Sequence, residues 1–358
     1  MNKVEKELGK FKSRFDKLLK EYLQAKLEKC QRFDPRLVPY QKELNRLMLA
    51  GGKRIRPFLL CFAYQCYANR LPKKIIKLSL ALELLQTFAL IHDDIMDKAD
   101  LRRGQPTVHR AIAKATRSKL GKNNAEHYGL SQAILLGDLA YSYCQEIVLE
   151  FNGSPGLTKE KQQFNKLYNT MTEEIVWGQQ LDLKAASYQL FDMKLLNKIM
   201  AYKSGYYTIA RPLQLGAVLG GASTKDVALL EKIGLNIGIA FQIRDDLLGL
   251  TGNARVTGKS NISDILEKKI TLPLILALRG SEDNKFIIMT YYGKRVLTNK
   301  QAKEIKTIVT AKNVIRKLNE QCHSYADIAN EYTDLLSINN NDKSLINELA
   351  AHLISRKT

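Results

Sequence analysis

Six long stretches, residues 74–98, 131–151, 160–187, 194–220, 226–250 and 262–279, are rich in apolar residues and carry almost no turn signals. Alternating apolar–polar runs are almost absent, so the chain has the pattern of helices and not of strands. The fold class is therefore expected to be all-α. Breaks with glycine or asparagine chemistry fall at Gly51-Gly52, Gly121–Asn124, Asn152–Gly156, Gly220-Gly221, Gly252–Gly258 and Gly280–Asn284. Ahead of them Val4, Leu8, Phe11, Phe15, Leu18, Leu19, Tyr22 and Leu27 recur at three and four, with a basic opposite face. Such a stripe, of ordinary width, suits a helix that packs on the body or on a second subunit better than a membrane anchor. No repeat period or Pro/Ser-rich linker divides the chain, so residues 1–358 read as a single large domain. Within it, 1–40 is an amphipathic N-terminal region and 281–358 a C-terminal helical region without a recognised motif.

Composition narrows the function. Apolar residues make up 45% and charged residues 26%, with eight prolines, the balance of a packed globular protein. Cys30, Cys61, Cys66, Cys144 and Cys322 are odd in number and form no CxxC pair, which argues against a disulfide framework or a zinc site and for a reducing cytoplasm. Met1–Phe15 lacks the uninterrupted apolar core of a secretory signal, and no apolar run reads as reaching membrane-spanning length. The formal charge of +20 draws polyanions, yet its lysines are scattered and no nucleic-acid-reading motif with stacking aromatics accompanies them, so no nucleic-acid partner is expected. Solubility, attraction of diphosphates, or contact with a membrane surface accounts for the excess.

The chemistry lies in two acidic clusters. Asp93, Asp94 and Asp97 stand near the end of an apolar helix, where residues three and four apart share a face. Crowded carboxylates suit Mg²⁺, which binds a few of them and fills its remaining positions with water and phosphate oxygens. Alone, such a string reads more readily as a solvated acidic helix end. A second pair, Asp245 and Asp246, follows another apolar helix. Two carboxylate walls facing one cavity would hold magnesium against a diphosphate and stabilise the negative charge left as a carbon–oxygen bond breaks. Lys53, Arg54 and Arg56 follow the Gly51-Gly52 turn, and Arg102-Arg103 follow the first aspartates; arginine forks match diphosphate oxygens.

In order along the chain stand GGKRIRP, HDDIMDKADLRRGQPTVH, the GD pair at 137–138, GQQLDL, KSGYYT, FQIRDD and GKSNISDILEKKITLP. Over roughly residues 45–280 this series resembles the trans-isoprenyl diphosphate synthases. The resemblance implies a helical bundle around a central cavity, a homodimer, and condensation of isopentenyl diphosphate with an allylic diphosphate through ionisation, condensation and proton loss. It implies three magnesium ions, with Asp93 and Asp97 as ligands, Asp94 in the same site, Asp245 on the third ion and Asp246 supporting that ion through water. Gln242 and Asp182 would be polar neighbours. Lys53, Arg56, Arg103 and Gln86 would bind isopentenyl diphosphate. Arg102 would face the allylic partner, with Lys203, Ser204, Lys259 and Lys269 around its leaving group, and Tyr207 matches the tyrosine of the Lys203 motif.

Two departures stand out. Gly249 replaces a third aspartate found in many members, and Lys268 replaces the usual glycine before Lys269. Product length in such enzymes depends on the fourth and fifth residues before the first aspartate, here Ala89 and Phe88, which lie about 6–7.5 Å along a helix from Asp93. One small and one large residue resemble the geranylgeranyl-type members most; farnesyl or longer products are the alternatives. A class I terpene cyclase would need no Lys53, Arg56 and Arg103 pocket, and a silent regulatory subunit would be expected to have lost aspartates.

Overall fold

The computed structural model describes residues 3–156, 158–251, 263–294 and 296–355, and these are almost entirely helical. By contact the chain divides into two compact units, Met1–Cys61 with Arg70–Leu157, and Phe62–Asn69 with Thr158–Thr358.

In the first unit α1 (Lys3–Phe33) buries Val4, Phe11, Phe15, Leu19 and Leu23, the expected stripe shifted by its own packing. Phe11 stacks on Phe15 at 5.6 Å. The stripe is not wholly apolar: Lys26 is buried, pairs with Glu146 and lies 4.5 Å over the Tyr143 ring. A short 3₁₀ turn (Pro35–Leu37) leads to α2 (Val38–Leu49), and after the Gly51-Gly52 turn α3 (Ile55–Ala68) begins, its residues from Phe62 onward belonging to the second unit. The central helix α4 (Lys73–Met96) is buried on nearly every side. Contrary to the sequence expectation, α4 is long and apolar enough to cross a membrane, but 67% of its most apolar window is buried inside the protein, as befits a core helix. Two strands, β1 (Leu101–Arg102) and β2 (Gln105–Pro106), pair antiparallel. Arg103 and Gly104 between them have φ of 54° and 73°, the positive values a tight hairpin turn demands. Two-residue strands are too short to show alternation, so the ribbon is silent in the sequence.

Helix α5 (Val108–Leu120) ends at Gly121, and α6 (Lys122–Gly153) starts one residue later, so the break expected over Gly121–Asn124 is confined to that glycine at φ 72°. Small residues Ala125, Gly129, Ala133, Gly137, Ala140 and Cys144 line much of the buried face of α6, which Leu136, Ile147, Val148 and Phe151 complete. A Cβ on Gly129 would stand 2.4 Å from the His109 carbonyl oxygen, and one on Gly137 2.3 Å from His92 Nε2, which explains why glycine occupies both places.

The second unit is built on α7 (Thr158–Tyr188), α8 (Met193–Met200), a π-helical segment (Ala201–Ala210), α9 (Arg211–Gly220) and α10 (Thr224–Thr251). Asp192 caps α8 by accepting from the Lys194 and Leu195 amides, and Gly221 in the left-handed region ends α9. The widened turns precede Pro212, which lacks an N–H and crowds the carbonyl four residues back; the Arg211 N–H reaches back five residues to Tyr206. The stretch 262–279, expected as one helix, is instead α11 (Ser263–Leu266) and α12 (Leu272–Leu278), because Lys268 takes φ 61° between them. Helices α13 (Glu282–Tyr291), α14 (Asn299–Val309), α15 (Lys312–Asp334) and α16 (Asn340–Ile354) complete the unit. A reciprocal Thr298–Gln301 capping box starts α14.

Candidate active site

In the first unit α4 delivers the DDIMD turn at its C-terminal end. Asp97 is the cap, its amide donating to the Asp93 carbonyl at 2.8 Å, so the two carboxylates leave from consecutive turns. Asp94 points inward, 2% exposed, and accepts a forked pair of hydrogen bonds from Arg102 at 2.6–2.9 Å. Arg102 Nη2 also lies 3.5 Å from Asp93. Burial opposes the Arg102 charge, but Asp94, Asp93 and Asp97 together raise its pKa above the ordinary arginine value. The hairpin thus aims Arg102 at the acidic turn, while Arg103 donates to the Gly51 carbonyl oxygen. A Cβ on Gly52 would sit 3.3 Å from Arg54 and 3.5 Å from Arg103, so both guanidinium groups lie close against this turn.

Arg54 differs from the sequence expectation. It is 3% exposed and is held by Asp16, Glu83 and the Met48 carbonyl, so it joins α1, α2 and α4 and is not part of an open basic patch. Lys53 is exposed and Arg56 half-buried beside it. Gln86, two turns before Asp93, keeps a buried Oε1 that has no hydrogen-bond partner among the described residues. Phe88 meets two rings, His92 at 4.8 Å and Tyr141 of α6 at 5.2 Å, while Ala89 is partly buried beside it. Tyr141 and His92 were not singled out in the sequence; Tyr141 is 53 residues from Phe88, and only the packing of α6 on α4 brings it there.

The second unit gathers another group around the π segment. Gly178 on α7 leaves room for Lys203, whose Cγ would lie 3.0 Å from an added Cβ, and one turn later Asp182 accepts from Lys203 Nζ at 2.5 Å. Ser204 donates to Gln242 on α10, and Gln242 Nε2 donates to Asp246 at 2.6 Å. Asp245 is exposed whereas Asp246 is 8% exposed. Burial raises the Asp246 carboxyl well above the usual range, with Asp264, Asp245 and Asp182 adding to the rise and the Gln242 hydrogen bond opposing it. Tyr207 is 2% exposed. Lys269 lies 3.3 Å from Glu267. Lys259 falls outside the described residues.

The two departures now have structural answers. A Cβ on Gly249 would come 3.6 Å from the Asp264 carboxylate, so α11 brings a carboxylate to the side of α10 where the third aspartate is missing. Asp264 was quoted within a motif but given no role. Lys268 keeps the left-handed turn without glycine: its carbonyl accepts from Tyr292 Oη at 2.5 Å, and its side chain lies over Gly293, itself at φ 75°.

Among the described residues no three His, Cys, Asp or Glu side chains converge on one point. Within each unit a buried carboxylate, Asp94 in the first and Asp246 in the second, stands next to more accessible ones, a donor set that fits Mg²⁺ completed by phosphate oxygens and water.

This all-α architecture is that of the isoprenoid synthases. A crystal structure of geranylgeranyl pyrophosphate synthase from Corynebacterium glutamicum, complexed with isoprenyl diphosphate and magnesium, superposes with a TM-score of 0.91 at 30% identity, covering 98% of this chain and 99% of that one. Geranylgeranyl diphosphate synthase from Methanosarcina mazei is 32% identical over 88% of this chain and 89% of its own length. Farnesyl diphosphate synthase from Bacillus subtilis is 33% identical over 68% and 77%. Residues 39–310 match the polyprenyl synthetase family, and the chain belongs to it. It is a prenyltransferase of that family.

Proposed function

We propose that this prenyltransferase condenses isopentenyl diphosphate head-to-tail with dimethylallyl, geranyl and farnesyl diphosphates and stops at geranylgeranyl diphosphate. The observation that carries the reading is the DDIMD turn, in which Asp93 and Asp97 leave from consecutive turns beside Arg102, itself forked onto the inner Asp94 carboxylate. Asp93, Asp97 and Asp245 would hold magnesium, three ions in all, which when bound neutralises the departing diphosphate. Arg102 and Lys203, each already charged against an aspartate, supply fixed positive ends for that leaving group. Lys53, Arg56, Arg103 and Gln86 hold isopentenyl diphosphate, and Ser204, Gln242 and Asp246 form one hydrogen-bonded row that keeps the second wall in register. Lys259 and Lys269 are assigned to the allylic diphosphate.

Phe88, braced by Tyr141 and His92, supports a floor that admits twenty carbons. Ile134 and Leu135 of α6 are 46% and 58% exposed, an adjacent apolar pair suited to a homodimer contact. All five cysteines are thiols, none in a disulfide, which fits a cytoplasmic enzyme.

The test is incubation of purified protein with isopentenyl diphosphate and each allylic primer, with and without magnesium, followed by mass spectrometry. Magnesium-dependent geranylgeranyl diphosphate is the expected product. Another length would overturn the floor. Hydrocarbon from allylic substrate alone would mean a cyclase, and inactivity rescued only by another subunit a regulatory chain.

A further inference from the structure

The π segment carries Lys203 and Ser204, yet its own backbone is an inherently poor element: wide turns give weaker packing along the axis and are kept only where the surroundings enforce them. Two features enforce it here. Along α10, a Cβ on Gly238 would stand 2.5 Å from Gly205 Cα, and one on Gly234 2.3 Å from Ala210 Cα, so the segment lies against bare backbone. At its C-terminal end stands Arg211, 6% exposed. Its guanidinium donates to both Glu174 oxygens on α7 at 2.6 and 2.8 Å, to Glu231 on α10 at 2.7 Å and to Gln214 at 2.6 Å. Gln214 in turn donates to the Val227 carbonyl and to Glu231. Arg211 also lies 4.6 Å over the ring of Tyr206, inside the segment.

The same two helices that Arg211 ties together hold the partners of the segment's polar residues: Asp182 on α7 for Lys203, and Gln242 on α10 for Ser204. Glu174 and Asp182 are two turns apart on α7, and Glu231 and Gln242 three turns apart on α10. One buried cation therefore fixes the spacing of two helices and the end of the π segment between them. A buried ion pair is weak evidence for stability, and its best-attested use is to set register.

We infer that Arg211 is a positioning residue: by clamping Glu174 to Glu231 it sets the register of the π segment, and so the placement of Lys203 and Ser204 toward the allylic diphosphate. This deepens the proposed function and rests on its assignment of Lys203 and Ser204.

Arg211→Lys and Glu231→Gln, the second leaving the Arg211–Glu174 pair intact, are compared with the unaltered enzyme and with Asp226→Asn. Asp226 is a buried carboxylate in the first turn of α10 that accepts from the Ser337 amide and makes no hydrogen bond to Arg211, Glu174 or Glu231, so its loss loosens the same unit without breaking the clamp. Hydrogen–deuterium exchange reads residues 201–210, and steady-state kinetics reads KM for each substrate separately. The expected result is faster exchange at 201–210 and an allylic KM raised about tenfold, with the isopentenyl KM unchanged, in the two clamp variants but not in Asp226→Asn. Should Arg211→Lys fail to fold, Glu231→Gln carries the test alone. Unaltered exchange, faster exchange without a change in allylic KM, or equal change in both KM values would overturn the inference. If the unaltered enzyme elongates no primer, the proposed function falls first, and that outcome is separate from any behaviour of the variants.

Discussion

At the scale of single residues, the side chains that set chemistry are those whose charge or bulk is fixed by a neighbour. Phe88 could be singled out from its distance to Asp93, but its brace could not, because Tyr141 reaches it from another helix. Phe88→Ala should lengthen the product by one or more isoprene units, and Phe88→Ala with Tyr141→Ala should lengthen it further; mass spectrometry of the dephosphorylated products reads the change. His109 belongs to the quoted motif yet is a core residue, 3% exposed, with Thr107 Oγ1 3.3 Å from Nδ1. Burial pushes its imidazole from 6.5 down to about 4, with Arg110 adding to the fall and Asp100 opposing it. The folded state therefore prefers neutral His109, and the unfolded chain takes up the proton first as pH falls. Its support for folding is complete above pH 6.5 and is lost as pH drops from 6.5 through 4. Thermal melts of the wild type should decline across that window, and His109→Gln should flatten the decline.

At the scale of elements, glycine spacing matters more than hydrophobic patterning. The sequence presents α10 as one apolar helix, and it is one, but Gly234 and Gly238 also make it the bed of the π segment. Gly238→Ala places a methyl against the Gly205 backbone, which cannot swing aside as a side chain would. It should cost about 1–3 kcal/mol in chemical denaturation, and elongation should fall in the fraction that folds. The π segment itself was read as ordinary helix within 194–220, since wide turns leave the apolar spacing almost intact and only Pro212 hints at them. The division of 262–279 was hidden for a related reason: a lysine at φ 61° is stabilised by Tyr292 and Gly293, more than twenty residues downstream.

At the scale of the whole molecule, a charge of +20 coexists with acidic clusters, and it is these clusters that the proposed magnesium would use. Removing divalent ions with a chelator should abolish elongation, and magnesium should restore it. Isothermal titration of magnesium with inorganic pyrophosphate should show coupled binding that weakens in Asp93→Asn and in Asp245→Asn; intact binding in both would remove these residues from the metal site.

By itself the sequence determined the helical class, the family and the order of the motifs, because helix period and short charged motifs are local properties. It also marked Asp93, Asp97, Asp245, Lys203 and Ser204 as the candidate site residues on which the proposed function rests. Tertiary structure alone decided which charges are used internally: Arg54 is spent on Asp16 and Glu83, Asp94 on Arg102, and Arg211 on Glu174 and Glu231. It likewise decided that Asp264 stands beside Gly249 and Tyr141 beside Phe88. The reason is physical: an ion pair or a ring contact is made by residues far apart in the chain, and only the packing of helices on one another brings them within reach.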